Sequence, residues 1–267
     1  MFVNSPILSK RSAEIASRFG ARAGSYEQHA DLQTAVAARL AALLPDFDSP
    51  HVLELGCGTG LLSRHLVARY PTGNIVLTDA APDMIAECRR NLAHVRGPRL
   101  SFEVMDAGEV NGRDGLDLIV TSMALHWLPN PAATLARLRS LLAPGGVLLY
   151  ATLGPDCFAE WRAILNAESL PSGIADIPTL PGVVEEEHLT PDNDSLSFLR
   201  RMKAVGGLTP KEGYAPLPPG ALRRAVRAIN LRFGGRVTWH IVYGKLAQSE
   251  DESAPEASRS SPSTMPS

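Results

Sequence analysis

A chain of 267 residues suffices for one large domain or two small ones, and with 45% hydrophobic and 20% charged residues it has the make-up of an ordinary globular protein. The net charge of -2 excludes a global electrostatic pull toward nucleic acid or an anionic membrane, so any charged partner must be read from local patches. No run approaches the ~18 apolar residues of a membrane span, and Cys57, Cys88 and Cys157 are too few and too scattered for a disulfide framework or a zinc site, so no metal and a reducing, cytoplasmic setting are expected.

The first residues, MFVNSPILSKRSAEIASRF, contain no apolar stretch followed by a small-residue cleavage site, which argues against secretion. Lys10, Arg11, Arg18 and Arg22 against Glu14 make this segment basic enough to be compatible with an organellar transit peptide. Ile7, Leu8, Ile15 and Phe19 predict a first helix over 5–19, ending near Gly20. From Asp31, Leu32, Val36, Leu40, Leu43 and Leu44 form one stripe on a helix of about four turns, which Pro45 stops. Tyr26 and His29 sit just before it, where a loop can place both over a site; the plainer reading packs Tyr26 on the core and leaves His29 on the surface.

The stretch VLELGCGTG (52–60) then joins a buried apolar run to glycines at 56, 58 and 60 and to the start of an amphipathic segment. Glycine lets a backbone turn sharply and approach a ligand closely, and a helix start offers unpaired N–H groups. Short strands follow at Asn74–Thr78, Leu100–Met105, Leu116–Thr121 and, after the breaker Pro144-Gly145-Gly146, Val147–Ala151. Helices are predicted between them at Pro82–Asn91 and Ala132–Leu142. This alternation predicts a parallel sheet covered on both faces. Beyond Leu153 the rhythm changes: a helix over Phe158–Asn166, a proline- and glycine-rich loop or lid over 169–182, and a short exposed strand VVEEEHL (183–189). Next come a helix over Leu196–Val205 closed by Gly206-Gly207, another over Pro218–Asn230, and a last strand over Val237–Leu246. The tail from Gln248 has no hydrophobic anchor and reads as disordered.

In an open parallel sheet, ligands bind at the carboxyl ends of the strands. Three predicted strand ends carry suitable groups: the glycine turn, then Asp79, 19 residues after Gly60 and placed to accept from two ribose hydroxyls, then Asp106, placed to accept from an adenine amino group. Together they predict a nucleoside site. A GxGxG turn, acidic residues closing the second and third strands, and PGG before the fifth resemble the class I S-adenosylmethionine-dependent methyltransferases. That resemblance implies a Rossmann-like fold, with a mostly parallel central sheet and helices on both faces. It further implies an N-terminal helical cap (1–45), a cofactor-binding core (46–155), a lid insertion after strand five with the acceptor-binding and C-terminal part of the sheet (156–247), and a disordered tail (248–267). The S-adenosylmethionine contacts it implies are Glu54, Gly56, Gly58, Gly60, Asp79, Ala80, Met84, Asp106, Ala107 and Ser122, with Glu54 ordering the glycine loop.

The flanks are more specific. Phe19, Tyr26, His29, Ala30 and Gln33 stand in a lead-in similar to that of the malonyl-[acyl-carrier protein] O-methyltransferases of biotin synthesis, whose first Ala is here shifted to Ala21 or Ala23. SMALHWLPNP (122–131) resembles the family's segment after strand four, with His126 where Gln is frequent. SLSFLRRMKAVGG (195–207), LPPGALRRAVRAI (217–229) and VTWHIVYGKL (237–246) resemble its C-terminal elements. The stretch between Trp161 and Val184 is short and proline-rich for the family's lid.

The family transfers a methyl group from a sulfonium to the free carboxylate of a malonyl thioester. A carboxylate, with a reference pKa of about 4, needs no general base, so positioning and water exclusion carry the rate. The residues expected to meet it are Arg200 (or Arg201), Tyr26 as a capping donor, and His29 or His126 in support, with Trp127 as a packing residue. The implied partner is an acyl-carrier protein bearing a malonyl group, or malonyl-CoA. Between Leu196 and Arg236 nine basic residues face only Glu212, a local +8, so the basic face Arg200–Arg236 is the candidate dock for an acidic carrier. No RNA-binding module is recognisable. The alternatives are methylation of another small acid such as trans-aconitate, or an assembly factor of the same fold acting on a protein arginine.

Overall fold

The apolar runs at 52–55, 118–121 and 147–153 become the middle strands of one sheet, buried on both faces, while the run at 99–104 is only partly buried at its edge. In the computed structural model, which describes residues 9–110, 112–191, 194–204, 211 and 213–248, the parallel strands are β1 (His51–Leu55), β2 (Asn74–Asp79), β3 (Arg99–Val104), β4 (Leu116–Ser122) and β5 (Leu142–Leu153). Two further strands, β6 (Val183–Leu189) and β7 (Trp239–Ala247), complete a seven-stranded sheet in the order β3-β2-β1-β4-β5-β7-β6, with β7 antiparallel to both neighbours. Period-two alternation sorts the side chains into two cores. Val52, Ile75, Leu77, Leu118, Val120 and Leu149 face one layer, and Leu53, Leu55, Ile119, Leu148 and Tyr150 face the other.

The first core is covered by α2 (Asp31–Ala41), α3 (Ser63–Arg69), α4 (Pro82–Asn91), α6 (Ala159–Ala167), α7 (Ser195–Ala204) and α8 (Pro219–Phe233). The second is covered by α5 (Pro131–Arg139) and by irregular segments around Val110 and Leu180. The remaining helix, α1 (Lys10–Gly20), and a 3-10 turn over Ala23–His29 lie over the carboxyl ends of the strands, where Ala16 and Ala23 pack on Ala81 and Met84. Among the described residues, no helix is long and apolar enough to cross a membrane.

Several boundaries differ from the sequence reading for local reasons. Helix α2 ends at Ala41, short of Pro45; Leu44 is still buried, in the turn that follows. Helix α5 starts at Pro131 because Asn130 caps it, its Oδ1 accepting from Ala133 N–H at 3.0 Å, and it stops at Arg139 because Leu142 already pairs in β5. Pro144-Gly145-Gly146, expected to break that helix, lies instead within β5 as a bulge: the register jumps from Leu116↔Leu142 to Leu118↔Val147. Segment 169–182, expected as a loop or lid, is a loop packed on both cores. Leu180 is buried in the second core, Ile174 and Ile177 pack on the first, and Tyr150 donates its hydroxyl to Pro181 O at 2.6 Å, so the segment is a strap that carries the chain to the edge strand β6. The expected helix start at 5, the Gly206-Gly207 stop and the tail after Gln248 lie outside the described residues.

Candidate active site

Strand β1 delivers the glycine turn to the carboxyl end of the sheet, where Cys57 N–H donates to Thr78 O at 2.9 Å and pins the turn to β2. Gly56, Gly58 and Gly60 have φ of 68°, 54° and 95°, a left-handed region that favours glycine. They serve different purposes. A Cβ on Gly56 would lie 2.6 Å from that of Ala124, and one on Gly60 would lie 3.0 Å from Cys88 Sγ, so both permit close packing. A Cβ on Gly58 would meet nothing within 4 Å; this glycine keeps open a space that belongs to a ligand.

The acidic residues are each held by backbone donors. Asp79, half-buried at the end of β2, accepts from Gly58 N–H at 2.9 Å through Oδ2 and from Ala81 N–H at 2.8 Å through Oδ1. It joins the glycine turn to the start of α4 and keeps a second lone pair on each oxygen. Burial raises its pKa, and the two N–H groups oppose that rise. Asp106 caps a short turn, accepting from Gly108 N–H at 2.9 Å. Arg137 of α5 fixes this turn by donating to the carbonyls of Ala107, Gly108 and Val110. Glu54 is buried, with only Ser63 Oγ–H donating to it at 2.6 Å; burial pushes its carboxyl up to about 8, the Ser63 bond opposes that, and the charge of Asp79 adds to it. Glu54 therefore keeps its proton at neutral pH.

The N-terminal elements form the opposite wall. The rings of Phe19 and Tyr26 lie 6.3 Å apart, and Phe19 meets Trp127 edge-on at 5.5 Å. Glu27 clamps this cap to the core: its Oε1 accepts from Arg64 at 2.7 Å and from Asn91 Nδ2 at 3.2 Å. Burial, then the charges of Asp79 and Glu27, raise the Tyr26 pKa, so its phenol stays protonated. Between cap and sheet lies a cleft lined by residues of both.

Nine of the ten residues expected to hold the cofactor line this cleft: Glu54, Gly56, Gly58, Asp79, Ala80, Met84, Asp106, Ala107 and Ser122. Gly60 does not; it faces Cys88, where it lets α4 approach. Of the expected acceptor contacts, Tyr26 lines the cleft and His29 and Arg200 do not. His29 is exposed at the end of its turn. Arg200 is exposed on the outer side of α7, its charge felt by Asp194 at the start of that helix. Arg201 turns toward α2, 4.0 Å from Asp31. His126 sits behind Trp127 with Nδ1 3.2 Å from Thr152 Oγ1, and burial pushes its pKa down to about 3, so it is neutral.

Three further residues belong to the site: Phe19 and Gln33 stood in the lead-in but were given no role, and Thr59 was passed over. All three line the cleft, and Gln33 Oε1 and Thr59 Oγ1 are buried polar atoms without a hydrogen-bond partner. Gln33 and Ala37, four residues apart, form the row beside the buried Leu32–Val36–Leu40 stripe; that spacing was a usable signal. Outside the cleft, Asp156, His188 and His240 gather beyond the end of β5. One donor atom from each of the three lies within 4.8 Å of the others, and the two imidazoles stack at 4.3 Å and 15°.

The cleft suits S-adenosylmethionine. It offers an unfilled space over Gly58, carboxylates with spare lone pairs at two strand ends, and two unpartnered polar atoms, Gln33 Oε1 and Thr59 Oγ1, for a polar ligand. Comparison with known proteins agrees. A family profile described as a methyltransferase domain matches residues 53–148. The malonyl-[acyl-carrier protein] O-methyltransferase of Magnetococcus marinus is 36% identical over 258 residues, covering 91% of this chain and 95% of that protein. The biotin biosynthesis bifunctional protein BioCD of Bordetella avium is 39% identical over 255 residues; 90% of this chain is covered, and the chain spans about half (53%) of that longer protein. Among solved structures, the N-methyltransferase NodS of Bradyrhizobium japonicum, in complex with S-adenosyl-l-homocysteine, shares the fold with a TM-score of 0.52 at 13% identity, over 89% of this chain and 98% of that one. The chain is an S-adenosylmethionine-dependent methyltransferase and belongs to the malonyl-[acyl-carrier protein] O-methyltransferase family.

Proposed function

We propose that the protein methylates the free carboxylate of a malonyl thioester on an acyl-carrier protein, giving the methyl ester used in biotin synthesis. The structural observation that carries this reading is the chemistry missing from the cleft wall: among the described residues that line it there is no Lys, Arg or His. Glu54 is protonated, and Asp79 and Asp106 are engaged by backbone N–H groups. A carboxylate acceptor arrives ionised and needs no histidine or lysine to activate it. The full-length likeness to the Magnetococcus marinus protein, whose name specifies malonyl-acyl-carrier protein, supports the same acceptor.

S-adenosylmethionine supplies an electrophilic methyl group on a sulfonium. For that cofactor, Asp79 would hold the ribose, Asp106 the adenine edge, and Gly56, Gly58, Thr59 and Gln33 the methionine end. Tyr26 is the acceptor-side donor. Its hydroxyl remains a hydrogen-bond donor at any working pH, and it offers the buried carboxylate a partner whose absence would be costly. Phe19, Tyr26 and Trp127 exclude water over the reacting atoms. Incubation with labelled S-adenosylmethionine and either malonyl-acyl-carrier protein or malonyl-CoA should give a base-labile methyl ester; no label on either acceptor refutes the reading.

A further inference from the structure

Helix α8 carries Arg223, Arg224, Arg227 and Arg232, and α7 carries Arg200, Arg201 and Lys203; neither helix contains an acidic residue. Seven cations on two adjacent helices stand out in a chain whose net charge is -2. On α8, Arg223, Arg227 and Leu231 recur every four residues, and all three are exposed, opposite the buried Ala221, Ala225 and Ile229. Leu231 is 77% exposed, the most exposed large apolar side chain among the described residues. Leu196, 45% exposed, starts α7 beside it, because Ser195 Oγ–H donates to Asn230 Oδ1 at 2.7 Å and brings the two helix ends together. Two leucines thus sit within an arginine field.

This patch lies at the same edge of the sheet as the cleft. Helix α8 runs into β7, and the first residues of β7 pair with the last of β5: Ile241 opposite Leu153 and Tyr243 opposite Ala151. Ala151 in turn pairs with Ser122, which lines the cleft. Helix α7 packs both on α8 and on the 23–29 turn that carries Tyr26, and Arg22 Nε–H donates to Lys203 O at 2.9 Å.

We propose that the outer face of α8, with Leu196 of α7, docks the acyl-carrier protein. The partner is an acidic protein that presents carboxylates to Arg223 and Arg227 and an apolar spot to Leu196 and Leu231. The proposal rests on the malonyl-thioester reading above and names the surface that reading lacks. Leu196 and Leu231, exposed in the free chain, supply apolar contact area once covered by the carrier, and the arginines steer encounter and set orientation.

The test is steady-state kinetics of the full chain with malonyl-acyl-carrier protein, comparing wild type with Arg223→Glu/Arg227→Glu and with Leu231→Ser. S-adenosylhomocysteine affinity serves as the folding control. Each variant should raise KM for the carrier substrate at least ten-fold with kcat within two-fold, and the double charge reversal should weaken the rise of KM with salt. An unchanged KM, or a fall in kcat at constant KM, overturns the proposal. So does a change of oligomeric state in the variants with KM unaltered, which would assign the face to a second copy of the chain. If wild type methylates no malonyl-carrier at all, the underlying reading fails instead. The dock is then judged by direct binding of the carrier protein to wild type and variants, and equal binding refutes it.

Discussion

Replacing Glu54 by Gln should remove a pH dependence of stability that the fold builds in. Glu54 is 1% exposed, its single side-chain donor is Ser63, and its pKa rises from 4.5 to about 8. The unfolded chain then loses the proton near pH 4.5 while the native protein keeps it to about pH 8, so the native state binds the extra proton between those values. Stability contributed by the protonated form is complete below pH 4.5 and is lost as pH rises to about 8, beyond which the loss levels off. The slope is about -1.4 kcal/mol per pH unit, so about 3 kcal/mol disappears between roughly pH 5.5 and 7.5, and about 5 kcal/mol over the whole span. A Gln amide has the shape of the protonated carboxyl, can still accept from Ser63, and has no proton to lose. Urea unfolding of wild type and Glu54→Gln across that range should show two profiles that diverge with rising pH, the variant becoming the more stable. Parallel profiles would mean that Glu54 is ionised in the native protein and would refute the reasoning.

Three further outcomes separate the roles assigned above. Gly56→Ala meets Ala124 at 2.6 Å and should cost several-fold more stability than Gly58→Ala, whose added carbon meets nothing and pays only a left-handed strain of about 1 kcal/mol; yet both should weaken S-adenosylhomocysteine binding in calorimetry, since both residues line the cleft. Tyr26→Phe keeps the ring and removes the donor, so methyl transfer should slow by about 10- to 100-fold at nearly unchanged S-adenosylhomocysteine affinity, and an unchanged rate would dismiss the hydroxyl. His126, held near 3 against an ordinary 6.5, favours the native state above pH 6.5 and weakens it as pH falls toward 3. His126→Gln should therefore flatten the acid side of the stability profile, seen in denaturant unfolding between about pH 4 and 7, by up to about 1.4 kcal/mol per pH unit.

The cofactor half of the cleft was legible because its chemistry sits on contiguous strand ends. Gly56 and Gly58 follow the buried run of β1, Asp79 closes the alternating run of β2 with Ala80 after it, and Asp106 and Ala107 follow the partly buried edge strand β3, so each group stands where a strand leaves the sheet. Among the described residues local pattern also found the seven strands and eight α-helices, though not the 3-10 turn over Ala23–His29, and several ends were decided by tertiary pairing, such as the bulge that draws Pro144-Gly145-Gly146 into β5. Gly60 stands apart from the other two in facing the Cys88 thiol and not the cleft, since a glycine that permits packing and one that lines a cleft look alike in sequence.

The acceptor half was less legible, and α7 shows why. Its sequence SLSFLRRMKA supports two apolar stripes: Leu196 with Leu199, or Ser195, Phe198 and Met202 with Leu199. The first would bury Leu196 and leave Arg200 at the margin of the contact. The second buries Phe198 and turns Arg200, two residues or about 200° further on, to the outside. Helical periodicity alone does not choose between them, because both contain the same leucine at 199. The choice is made 35 residues away, where Asn230 of α8 accepts from Ser195, and by the ring of Phe158, 5.1 Å from that of Phe198. Those long-range contacts take Arg200 out of the cleft, and they also leave Leu196 exposed beside Leu231. The rotation that turns Arg200 away from the cleft is therefore the same rotation that exposes Leu196 at the centre of the proposed docking face.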